Sequence, residues 1–170
     1  MTQSDPATHR FHGDGSIPNS RLPVLVYRDV DAAAGPASAE QAFAANGWLG
    51  AWRNGIFSFH HFHSTAHEVL AIVSGSVRVT LGGPQGTTFE ASRGDVLVLP
   101  AGTGHRNEGA SGDLLVVGAY PDAMEWDVRR GDPAEYDEVQ ANIAAVPLPR
   151  ADPLHGAGGP LPRLWGAAGD

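Results

Sequence analysis

The chain contains no cysteine and no lysine. The first absence removes disulfides, thiolate nucleophiles and cysteine-held zinc or iron–sulfur groups. The second removes Schiff-base chemistry and the phosphate-binding lysine of a P-loop. All 11 basic residues are arginine; a GC-rich genome, which the alanine and glycine content also suggests, accounts for that. No apolar run approaches the roughly 20 residues of a membrane-crossing helix. No basic cluster offsets the net charge of −8, so nucleic acid and anionic membranes are not expected partners. The opening residues, Met1-Thr2-Gln3-Ser4-Asp5-Pro6, have neither the basic region nor the apolar core of a secretory signal, and a cytoplasmic protein is expected. No segment repeats. At 170 residues and 42% hydrophobic, the chain is long enough for one domain with a real core.

Against these absences stands a dense histidine tract, His60-His61-Phe62-His63-Ser64-Thr65-Ala66-His67-Glu68. The flanking runs, Ile56-Phe57-Ser58-Phe59 and Val69-Leu70-Ala71-Ile72-Val73, are β-branched and aromatic and read as strands. Alternation along a strand places Phe57, Phe59, His61 and His63 on one face. His60 faces the other way, and His67 points away from Glu68. Two imidazoles at i and i+2, with a carboxylate at Glu68, suit a first-row transition metal with open coordination positions. About forty residues on, Gly94-Asp95-Val96-Leu97-Val98-Leu99-Pro100-Ala101-Gly102-Thr103-Gly104-His105 forms a strand, a Pro/Gly turn and one histidine. His105 arrives where a third imidazole is needed.

These two stretches resemble the motifs of the cupin superfamily. Gly55, His61, His63, Glu68 and Gly75 fit the first motif without a gap. Gly94, Pro100, Gly102 and His105 fit the second. The asparagine that ends the second motif is absent: Gly109 stands there, and Asn107 is the nearby substitute. With Ser64-Thr65-Ala66-His67-Glu68-Val69 and Val116-Val117-Gly118-Ala119-Tyr120-Pro121, the chain is similar to a group of bacterial single-domain cupins, the YjlB-like proteins. That resemblance covers about Val24 to Trp165. It implies an all-β, double-stranded β-helix (a jelly-roll barrel). It also implies one divalent transition metal (iron, manganese, nickel, cobalt or zinc) held by His61, His63, Glu68 and His105. Four ligands on an octahedral ion leave two neighbouring positions free.

The remaining segments are organised around that barrel. Residues 1–20 read as a polar arm, flexible or draped on the barrel, 21–146 as the cupin domain, and 147–170 as an extended Pro/Gly-rich tail that packs on the barrel or on a second subunit. Ser38 and Gln41 look like a capping box for a short helix ending near Gly47. Asp132 and Pro133 open a second helix, with Tyr136, Val139 and Ile143 as its buried stripe. Val77, Val79 and Leu81 alternate with polar residues, the apolar set inward. Trp48 and Trp52 read as core. Short strands separated by Gly/Pro turns close into a sandwich or barrel with room for a small ligand.

The expected function is that of a small-molecule enzyme, an oxygenase or isomerase, in which the metal serves as Lewis acid or dioxygen centre. Phe57 and Phe59 would keep the site dry, and Asn107 or Arg53 would orient the substrate. The alternative is a binding protein or sensor that captures a small acid or sugar without turnover. A structural metal with a closed shell is the third reading. A homodimer is expected.

Overall fold

A computed structural model describes residues 5–168. Nine strands and three α-helices follow in chain order. They are β1 Ala7–His9, β2 Val24–Tyr27, α1 Pro36–Ala45, β3 Trp48–Asn54, β4 Glu68–Ser74, β5 Ser76–Leu81, β6 Thr87–Ser92, β7 Val96–Leu99, β8 His105–Ala110, β9 Leu115–Pro121, α2 Tyr136–Ala145 and α3 Pro160–Ala168. All strand pairings are antiparallel. One sheet runs β1-β2-β7-β4-β9-β3 and the other β6-β5-β8. The two layers form the expected jelly roll.

Strands β2, β4 and β7 are apolar at nearly every position because both of their faces are covered. On β4, Val69, Ala71 and Val73 join one buried cluster, with Phe43 of α1 and with Leu161 and Trp165 of α3. Leu70 and Ile72, of the opposite parity, join a second cluster with Val77, Val79 and Leu81 of the small sheet. Strand β7 divides the same way, Val96 and Val98 toward the helices, Leu97 and Leu99 toward the small sheet. This parity decides where the chemistry goes. Glu68 shares its face with Leu70 and Ile72, so its carboxylate opens into the space between the sheets.

The N-terminal arm lies on the roll: β1 pairs with β2 as the sheet's edge, and Ile17 and Asn19 are buried. Asn19 donates to the carbonyls of His12 (2.9 Å) and Gly82 (3.0 Å) and accepts from Gly104 N (3.0 Å), which ties the arm to two turns of the roll. Helix α1 begins at Pro36 with Gly35 as N-cap. Ser38 lies inside it and donates to the Ala32 carbonyl (2.7 Å) instead of capping. Asp132 caps as expected, accepting from Ala134 N (2.9 Å), but into a single 3₁₀ turn that precedes α2. Of the expected stripe on that helix, Val139 is buried; Tyr136 and Ile143 are half-buried.

The C-terminal segment is not wholly extended. Residues 160–168 form α3, which buries Leu161 and Trp165. Asp152 anchors that segment. Fully buried, it accepts from the Tyr27 hydroxyl and from the amides of Leu154 (2.8 Å), His155 (3.1 Å) and Leu161 (3.2 Å). A buried carboxylate is tolerable when its lone pairs are filled in this way.

Candidate metal centre

The histidine tract does not lie on a regular strand. After β3 ends at Asn54, the chain makes only isolated bridges, His61 with His105 and Phe62 with Arg129. The His61–His105 bridge is reciprocal: His61 N donates to His105 O (3.2 Å) and His105 N to His61 O (2.8 Å). The two histidines, 44 positions apart in the sequence, are thereby opposed. The expected shared face survives without the strand. The ring centroids of Phe57 and Phe59 lie 5.1 and 5.5 Å from that of His61, and His61 and His63 are 5.9 Å apart. The Pro/Gly turn sets the approach of His105. Gly102 has φ +96° and donates to His63 O (2.8 Å), and a Cβ there would sit 2.5 Å from Asn19 O.

His61, His63 and His105 are all buried, and each offers a ligand atom within 4.8 Å of the others. Their Nδ1 atoms face main-chain carbonyls: Phe59 for His61 (2.9 Å), Thr103 for His105 (3.0 Å) and Asp127 for His63. A carbonyl only accepts, so each Nδ1 carries the proton and each Nε2 keeps its lone pair. Glu68 Oε1 lies 3.3 Å from His63 Nε2 and 3.5 Å from His105 Nε2. The four side chains singled out by sequence thus meet, with Glu68 on the side of His63 and His105.

Electrostatics match the geometry. Burial, with His105 and His63 beside it, pushes His61 down to about 3, so its imidazole is neutral. Burial alone would raise Glu68, but His63 and His105 outweigh it and hold the carboxyl well below the usual range. Burial opposes protonation of His63 as well; there the Glu68 charge wins and the pKa is raised. Neutral imidazole lone pairs and an ionised carboxylate are the ligand states that divalent metals require, so the donor set fits such an ion.

A cavity of about 400 Å³ opens over the cluster. Among its lining residues are Trp52, Phe57, Leu70, Tyr120 and Trp126, with Arg53 toward the rim. Tyr120 and Trp126 were not anticipated as site residues. The Tyr120 hydroxyl accepts from Trp52 Nε1 (2.7 Å); burial and the nearby Glu68 charge push its phenol far above the usual range. Its place was legible from alternation, since Val116, Gly118 and Tyr120 share one face of β9. Trp126 has no such signal: it follows β9 in an irregular segment and stacks on Tyr120 at 5.8 Å. Trp48 is core, as expected, but Trp52 is cavity wall.

The two candidate substrate-orienting residues fare differently. Asn107 is not on the cavity wall. Its carboxamide oxygen accepts from Gly109 N (2.8 Å), a local turn contact within β8. Arg53 does line the cavity, but its guanidinium is bidentate on Glu40 at 2.7 and 3.1 Å. Phe57 is half-exposed at the mouth and shields the site on one side only. His67 is excluded as a ligand by its partners. Nδ1 accepts from Ala101 N (2.9 Å) and Nε2 donates to Pro147 O (3.1 Å).

Three imidazoles and a carboxylate at the mouth of an antiparallel two-sheet roll define a cupin, and the chain belongs to that family: the Cupin domain model matches residues 53–117. Within the family it is similar to the uncharacterized protein YjlB of Bacillus subtilis (strain 168). The two are 35% identical over 164 residues, 96% of this chain and 98% of that protein. Among solved structures, it is similar to acireductone dioxygenase from Bacillus anthracis with a cadmium ion in the active center (17% identity, TM-score 0.44, 59% of this chain and 80% of that one). It is also similar to an oxalate decarboxylase of Bacillus subtilis (20% identity, TM-score 0.40, 68% of this chain and 29% of that one).

Proposed function

We propose that this cupin is a metal-dependent enzyme acting on a small molecule, with one divalent transition metal held by His61, His63, Glu68 and His105. The observation that carries the reading is the direction of the three imidazoles. Each Nδ1–H is committed to a main-chain carbonyl, and each Nε2 is left free toward one point beside an ionised carboxylate. Such outer bonds orient ligands and raise their basicity. A metal bound there supplies Lewis-acid polarisation of a coordinated oxygen, or a centre at which dioxygen can react.

The chain's own residues do the rest. The cavity admits a ligand from one side of the cluster, whereas a purely structural ion is usually enclosed by its protein ligands. Trp52, Phe57 and Trp126 displace water around the bound molecule. The Tyr120 hydroxyl, fixed by the Trp52 indole, stands near Glu68 on the cavity wall. Arg53, already paired with Glu40, keeps the rim ordered.

Elemental analysis after metal loading and gel filtration tests the reading. One equivalent of metal per chain is expected for the native protein, and a sharp loss of affinity for His61→Ala, which removes a ligand outright. Unchanged metal content in that variant would refute the assignment. Turnover separates catalysis from capture without turnover: recovery of every candidate ligand unchanged from the metal-loaded protein, under air and under nitrogen, would favour a binding protein.

A further inference from the structure

The wall above the metal ligands has a chemistry of its own. Aromatic rings flank the donor cluster on two sides. Phe57 stands against His61 (5.1 Å, 74°), while Tyr120 (6.4 Å, 89°) and Trp126 (5.4 Å, 72°) stand against His63. Trp52 completes the lining beside Tyr120. Phe57 and Trp126 are also the two most exposed large apolar side chains among the described residues, at 49% and 47%, and both sit at this one opening. Exposed aromatics gathered at a cavity mouth mark a surface that a ligand covers.

Charge narrows the ligand further. Glu68 brings a negative charge to the floor, and the wall's cation, Arg53, is taken by Glu40 on both of its contacting nitrogens. A small dianion such as oxalate, chelating through two oxygens, would turn its other two toward aromatic faces, whose quadrupole repels negative charge. A flat ring carrying two adjacent oxygens has no such difficulty. Its polar edge meets the donor cluster, and its apolar body lies between Phe57 and the Tyr120–Trp126 stack. A cavity of about 400 Å³ accommodates such a molecule.

We propose that the cavity takes a planar aromatic ligand with two adjacent oxygens, a catechol-class chelator, in preference to a small aliphatic dianion. The proposal rests on the metal reading above. Its specificity residues are Phe57 and Trp126, which touch the ring and not the metal.

The test uses the full-length protein loaded with zinc, which undergoes no redox reaction with the probe. 4-Nitrocatechol is followed by its visible absorbance and oxalate by calorimetry, with metal content measured on the same samples after gel filtration. The expected result is a Kd for 4-nitrocatechol at least about tenfold below that for oxalate. Trp126→Ala and Phe57→Ala should each weaken 4-nitrocatechol by about 3- to 10-fold, the worth of one aromatic contact, and should not weaken oxalate. Both side chains are half-exposed and lie on separate segments, so the two variants check one another for folding. With metal in place, oxalate binding as tightly as 4-nitrocatechol, or wall variants that leave 4-nitrocatechol unaffected, would overturn the proposal and leave the metal centre standing. Native protein that emerges free of zinc would overturn the metal centre and the proposal together.

Discussion

Trp52 donates its indole N–H to the Tyr120 hydroxyl across the edge of the large sheet, at 2.7 Å. The contact depends on a residue with no side chain. Trp52 pairs with Gly118 in the β3–β9 register, and a Cβ at position 118 would come within 2.2 Å of the Trp52 ring. Trp52 on β3 thereby fixes Tyr120.

Gly118→Ala is therefore expected to displace the Trp52 ring, since the obstructed atoms belong to a rigid bicycle. Overpacking of this kind costs about 1–3 kcal/mol, which in a chain of this size lowers Tm by about 2–4 °C per kcal/mol. Thermal unfolding measures the loss. A Tm equal to that of the native protein would show that the sheet edge absorbs the methyl group.

Asp127 connects the segment after β9 to the metal ligands. Its carbonyl accepts from His63 Nδ1, and its carboxylate accepts from Ser64 N (2.6 Å), the Ser64 hydroxyl and Arg129 Nε (2.9 Å). Asp127→Ala leaves the carbonyl but frees the segment that aims it. Metal affinity is expected to fall by about tenfold or more, measured by competition with a chromophoric chelator. An unaltered affinity would mean that the Phe62–Arg129 bridge suffices to hold the carbonyl.

His67 should make the metal-free protein sensitive to acid. Burial holds its pKa down to about 4, against an ordinary value of 6.5, and protonation would set a new N–H against the Ala101 amide. The unfolded chain takes up the proton first. Stability is thus full above about pH 6.5, falls as the pH drops toward 4 and levels off below it, by up to about 3 kcal/mol. Comparison of denaturant midpoints at pH 7.5 and 4.5 for native protein and His67→Gln isolates the effect, and the variant should lose the smaller fraction. Parallel pH curves would remove His67 as the cause.

Asp152→Ala tests the C-terminal anchor. The change strands the buried Leu161 amide, the part-buried amides of Leu154 and His155, and the Tyr27 hydroxyl. Each unsatisfied buried group costs about 1–3 kcal/mol, so a large drop in Tm is expected, with faster proteolysis after residue 147. Native-like Tm and protease resistance would show that Leu161 and Trp165 dock without the carboxylate.

Much of the roll was legible because alternation is a local property. Val77, Val79 and Leu81 are buried, as their spacing required, and Glu68 and Tyr120 inherit their orientation from apolar neighbours on the same strand faces. The expected strand at Ile56-Phe57-Ser58-Phe59 did not form, because residues 55–60 leave the sheet to carry the histidines over its rim. The C-terminal helix was hidden in the stretch read as an extended Pro/Gly-rich tail, because Pro160 and Pro162 occupy its first turn, where a missing N–H costs nothing.

The residue order alone determined which groups are available, the three imidazoles and one carboxylate, and which way Glu68 faces, since strand parity needs no partner to be read. The fold decided that His61 and His105 oppose each other, that Asn107 serves its own turn, that Arg53 is taken by Glu40, and that Trp126 stacks over Tyr120. Those outcomes depend on the path of irregular segments and on sheet order, which join residues with no periodic relation along the chain.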